Sequence, residues 1–156
     1  MKISTIIFLT LVLFILSTNV YAQLERKVDD FTNEVIIRTP VTKKAVITKI
    51  ISKDREDIYY LHLFVMGKTI GSVGKGVYVM FDDGTKWIRE EEEIKFDSYT
   101  DGTSVYRCIV SLSPEDLQTL ADKKIAKFKL FIFVYEMKNN EAKKLNENAV
   151  LIKSAK

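Results

Sequence analysis

The sequence is poor in the residues that most often carry chemistry or covalent staples: of 156 residues, one is cysteine, one histidine, one tryptophan and two are proline. With Cys108 alone, no intramolecular disulfide can form, and stability has to come from packing. With His62 the only imidazole, a zinc site would have to draw most of its ligands from carboxylates. The same scarcity leaves His62 and Cys108 as the sole pair for thiol catalysis, in which a neighbouring base lowers the thiol pKa. Each sits inside an apolar run, and no helix start follows Cys108 to activate it, so both read as packing residues and no catalytic residue is assigned. There is no Asn-x-Ser/Thr acceptor for N-glycosylation, no internal repeat and no Pro/Gly/Ser-rich linker, which makes one domain the economical reading. Charge of one sign is lacking too: 24 basic and 21 acidic residues are interspersed. Lys43-Lys44, Lys123-Lys124 and Lys143-Lys144 stand apart as separate pairs. A nucleic-acid partner, which needs a basic patch, is not expected.

What is present begins with the layout of an export signal. Lys2 supplies a positive start, Ile6 to Leu16 an apolar run broken by Thr10, and Val20-Tyr21-Ala22 the side-chain types a signal peptidase reads. The apolar core is shorter than the roughly 20 residues a membrane-crossing helix needs. No cysteine stands at the cleavage site to be acylated. The expectation is a signal peptide over residues 1–22 and a single β-rich domain over 23–156. The product is then exported, periplasmic or secreted, with no stable membrane insertion after signal cleavage.

Within the domain, segments of strand length alternate between turn signals. Glu34–Thr39, Lys44–Ser52, Val77–Phe81, Thr85–Arg89, Lys95–Thr100 and Thr103–Leu112 read as strands, and Ile58–Met66, apolar on both faces, as one from the middle of a sheet. Asp83-Gly84 predicts a tight two-residue hairpin, and Asp101-Gly102 repeats the device. Gly67 to Gly76 reads as a loop or irregular strand. Ser113-Pro114-Glu115-Asp116 has an N-cap, a first-position proline and carboxylates at the positive end of a helix, predicting a short helix near 114–122. Ile125–Tyr135 is expected to be one long strand with Ala126, Phe128, Leu130, Ile132 and Val134 inward. Ala142, Leu145, Ala149 and Ile152 recur at helical spacing, predicting a C-terminal helix. Short strands joined by hairpins, with no βαβ alternation, indicate a mainly β chain, an antiparallel β-sandwich (Ig-like or similar) ahead of a closed barrel.

No motif implies a cofactor. Gly67-Lys68-Thr69 lacks the earlier glycine of a phosphate loop, and Gly71 to Gly76 carries the dinucleotide fingerprint in reversed order with no helix after it. Asp82-Asp83, Glu90 to Glu93, Asp97 and Asp101 lack the ordered ladder of a calcium loop and read as solvated acids, so no metal site is assigned. The aromatic strand residues remain. Tyr59, Tyr78, Trp87, Phe131 and Phe133 are the candidate binding residues, a flat platform for a protein, peptide or glycan if they are exposed. A non-enzymatic binding or structural module is the leading reading. The alternatives are a small hydrolase using paired carboxylates, which needs a carboxyl of raised pKa, and a carrier of a small apolar ligand, which needs an internal cavity.

FDDGTKW at Phe81 to Trp87, LSPEDLQTL at Leu112 to Leu120 and KIAKFKLFIFVYE at Lys124 to Glu136 occur in an order that resembles uncharacterised exported β-rich proteins common in Bacteroidota. The resemblance covers the middle and C-terminal thirds of the domain. It implies a periplasmic or surface β-sandwich, no named activity and no site residues.

Overall fold

The computed structural model describes residues 24–68, 74–98 and 102–156. The expected leader over 1–22, residues 69–73 of the glycine segment and Asp101 lie outside the described residues. The elements in chain order are β1 (Glu25–Val28), β2 (Val35–Arg38), β3 (Ala45–Ile51), β4 (Ile58–Gly67), β5 (Gly74–Phe81), β6 (Lys86–Ser98), β7 (Ser104–Leu112), α1 (Pro114–Asp122), β8 (Ile125–Leu130), β9 (Phe133–Glu136) and α2 (Asn139–Ser154). All strand pairs are antiparallel, in one nine-stranded order β1-β2-β3-β4-β7-β6-β5-β8-β9.

The fold is mainly β, as expected, but a sandwich of two separate sheets is not confirmed. A single sheet curls into a half-barrel, and the two helices lie in its hollow. Period-two alternation selects the inner face. Ala45 and Ile47, Leu61 and Leu63, Tyr106, Cys108 and Val110 are all buried there. Against them the helices bury Leu117 and Leu120 from α1 and Ala142, Leu145, Ala149 and Ile152 from α2, the four positions the helical spacing marked. α1 starts as the sequence requires: the Asp116 N–H donates to Ser113 Oγ at 3.1 Å, and the Ser113 N–H donates back to Asp116 Oδ2 at 3.0 Å.

Polar groups at the helix ends are matched in the hollow. Asn146 donates to the carbonyls of Leu120 and Ala121 at the end of α1. Lys49, 4 % exposed, donates to the Ala155 carbonyl just past the end of α2 at 2.7 Å and pairs with Asp57 at 2.8 Å. Burial works against its charge, but hydrogen bonds with Asp57 and Tyr59 outweigh it and raise the Lys49 pKa. A cation at a helix C-terminus also meets the negative end of the helix dipole.

Three local expectations are corrected. The Asp83-Gly84 connection is a three-residue loop rather than a two-residue one. The Gly84 N–H donates to Phe81 O, Gly84 alone takes a positive φ of 83°, and the Phe81 N–H then donates to Thr85 O. The segment Ile125–Tyr135 is two strands, with Leu130 paired to Phe133 across a turn at Phe131-Ile132. Phe131 adopts φ 57°, a conformation side chains avoid, while its ring stacks on Tyr106 and lies where a Gly74 side chain would be, 2.3 Å from that Cβ position. Phe133 likewise packs on Tyr106, at 4.7 Å between ring centres, and occupies the space beside Gly67. Finally, the two expected segments Thr85–Arg89 and Lys95–Thr100, over residues 86–89 and 95–98, join through the acidic run into the 13-residue strand β6, while 99–100 lie outside the described residues.

Candidate functional site

The site geometry follows from one irregularity in β5 and β6. Lys75 faces Glu93 and Val77 faces Arg89, so Gly76 alone stands opposite Glu90, Glu91 and Glu92. Gly76 has φ 95°, and a Cβ there would lie 3.2 Å from the Tyr78 ring, so glycine suits this corner. Both strands change phase at this bulge. In β6 the inward residues are Ile94 and Phe96 before the bend and Trp87 and Arg89 after it. Bulges sharpen twist and bend a strand. Here the bend takes β6 off β7 and onto β5: β6 pairs with β7 through Lys95 to Ser98, and with β5 through Lys86 to Ile94.

Beyond the bend the sheet turns its outer face into a shallow recess of about 330 Å³ among β6, β5, β8 and β9. Tyr78, Met80, Ile88 and Val134 form its apolar surface, and Lys86, Lys127 and Lys129 stand around it. Tyr78 is 38 %, Ile88 54 % and Val134 58 % exposed. The Lys129 ammonium lies 5.5 Å from the centre of the Tyr78 ring, a cation–π contact.

At the bend itself a second cleft, of about 600 Å³, opens between β7 and the departing β6. Leu63 and Cys108 line it together with His62, Phe64, Arg107 and Ile109. Glu91, Glu92 and Glu93 form the opposite wall. The closed end is the Lys95–Arg107 pairing, with an Arg107–Asp97 ion pair. Across the strands' other ends, one terminal nitrogen of Arg89 donates to both carboxylate oxygens of Asp116 at 2.8 Å, tying β6 to α1.

The sequence-derived candidates are dispersed by this architecture. Tyr78 and Trp87 line the first recess, Tyr78 with its ring outside and Trp87 with its ring edge-on to Phe81 at 4.9 Å. Tyr59 packs on the inner side beneath Lys49, 5.4 Å from its ammonium, and Phe131 and Phe133 pack on Tyr106. The five therefore do not share one surface. The lysines of the recess were not singled out by sequence, because Lys127 and Lys129 of β8 meet Lys86 of β6 only through the register with β5.

His62 and Cys108 are brought near each other but face opposite sides of the sheet: Cys108 pairs across from Leu63, and His62 from Ile109. Burial, and then the charge of Glu92, push the Cys108 thiol up to about 12, the reverse of what a thiolate nucleophile requires. The carboxyls displaced from their ordinary range all move down. Asp83 does so beside Lys123 and Thr85, Asp29 through backbone N–H groups of Thr32 and Phe31, and Glu115 at the start of α1. A general acid needs the opposite shift. Among the described residues no group of three or more His, Cys, Asp or Glu side chains is placed to hold a metal ion, and no helix is long and apolar enough to cross a membrane. Set against protein-family models, curated proteins and solved structures, the chain matches none.

Proposed function

We propose that the protein is an exported, non-enzymatic binding module, and that its ligand surface is the recessed outer face of β6, β5, β8 and β9. The export part rests on the leader-like layout of residues 1–22. The observation that carries the binding part is the pairing of exposed apolar side chains, Tyr78, Ile88 and Val134, with three lysines around a recess of about 330 Å³. Apolar surface flanked by charge of one sign suits a partner segment that alternates apolar and acidic residues, with the apolar side chains supplying affinity and the charges orientation. The downward-shifted carboxyls and the raised Cys108 thiol weigh against the hydrolase alternative. The helices and side chains filling the hollow weigh against an apolar-ligand carrier.

The test is calorimetric titration with an acetylated peptide alternating leucine and glutamate. The Lys127→Glu/Lys129→Glu variant is expected to bind at least about tenfold more weakly, the equivalent of ~1.4 kcal/mol. Equal binding by the variant and the parent would sink the assignment of this face.

A further inference from the structure

The cleft between β6 and β7 holds an unfinished stretch of sheet. On the β4 side, the Phe64 N–H donates to Lys44 O, so Phe64 and every second residue of β4 direct their backbone groups at β3. The intervening residues Leu61 and Leu63 therefore bond to β7, at Val110 and Cys108. The remaining backbone groups of β7 beyond Arg107, those of Ile109 and Ser111, point away from β4 toward the side that β6 has left, and Ile109 lines the cleft. β6 has left by then, because its pairing with β7 stops at Arg107. The Ile109 N–H finds the sulfur of its neighbour Cys108, a weak acceptor. His62 Nε2, in the same cleft, is buried without a hydrogen-bond partner among the described residues. The terminal strand β1 is handled differently: it is short and charged, with Glu25, Arg26 and Lys27 exposed, the usual protection of an edge. The edge of β7 at Ile109 has no such guard.

We propose that this cleft is a strand-addition site, which takes an extended, basic peptide segment of a partner protein. Its backbone pairs with Ile109 and Ser111, and its lysine or arginine side chains meet the glutamate wall of β6. Added strands gain affinity from main-chain hydrogen bonds and specificity from side chains on alternate faces. The sign of the partner's charge follows from the wall. Among the described residues Glu92 and Glu93 have no ion-pair partner, Arg107 is matched by Asp97, and Lys95 is the one lining cation left unpaired, so the unmatched charge of the cleft is acidic on balance. This site is separate from the lysine recess, and either can stand without the other.

The test uses the full domain and an acetylated, amidated octapeptide alternating lysine with valine, followed by amide hydrogen exchange. In the free protein the Ile109 and Ser111 amides are expected to exchange at least about a hundredfold faster than those of Cys108 and Val110, which are ladder-bonded to β4. Saturating peptide is expected to slow Ile109 and Ser111 about tenfold or more. A peptide N-methylated at alternate residues, which keeps its charge but cannot complete the ladder, is expected to bind about tenfold more weakly, as is the parent peptide to the Glu91→Lys/Glu93→Lys variant. Both substituted side chains are exposed, so the fold is retained. Ile109 and Ser111 amides as protected as Cys108 in the free protein overturn the proposal, since the edge is then already occupied. Unchanged exchange at saturating peptide, or equal binding of the N-methylated peptide, overturns it too, the latter by reducing the contact to charge alone.

Discussion

His62 is the residue at which solution conditions reach the fold. Burial, and secondarily the charge of Arg38, hold its pKa below the ordinary 6.5. The unfolded chain therefore binds a proton more readily than the folded one in the window just below pH 6.5, so the contribution of His62 to stability is fully present above that value and is lost as pH falls. Carboxylates elsewhere also lose stability in acid, so the comparison has to be differential. Between pH 7.5 and 5 the melting temperature of the parent is expected to drop further than that of His62→Gln. Parallel melting profiles would show that the imidazole is not coupled to folding. Lys49 is the opposite case, a buried cation kept charged because Asp57 and the carbonyl just beyond α2 are built around it.

Among the elements, α1 is the one whose formation depends most visibly on a local signal. Its reciprocal bonds between Ser113 and Asp116 satisfy two backbone donors, and Asp116 also receives Arg89 from β6. Ser113→Ala is expected to cost about 1 kcal/mol, read from the urea midpoint with an unchanged slope. A cost near zero would mean that Arg89 alone positions the helix. The β8–β9 turn shows the reverse dependence. Nothing in Lys129 to Phe133 carries a turn residue, and the chain nevertheless reverses at Phe131. The strain of its positive φ, of order 1–3 kcal/mol, is offset by burying two phenyl rings on Tyr106 and over the bare backbone of Gly67 and Gly74. β1 escaped the sequence reading for a related reason: four exposed residues with no apolar rhythm are held by pairing to β2.

For the molecule as a whole, the curled sheet cannot close on itself, and α2 supplies what the missing wall would have buried. Leu145 is 1 % exposed at the centre of that contact. Leu145→Ala is expected to cost about 2–5 kcal/mol, the range for a cavity in a packed core. Because helix and sheet share one core, near- and far-ultraviolet circular dichroism should follow a single urea transition in both parent and variant. Separate transitions would mean that α2 docks as an independent unit.

The sequence by itself determined the quantities that are local. Strand-length segments between turn signals marked β3, β4 and β7, helical spacing marked the buried stripe of α2, and Ser113-Pro114 set the start of α1. It also told that Cys108 would be packed rather than exposed. What tertiary structure decided is where strands meet and part. The lysine recess exists because β8, distant in sequence, takes its register on the β5–β6 hairpin, and the cleft exists because Gly76 allows Glu90 to Glu92 to bulge and β6 to change partners. Read alone, Glu90 to Glu93 are a solvated charge run. A strand's neighbours are chosen by contacts remote along the chain, and no pattern within thirteen residues can record them.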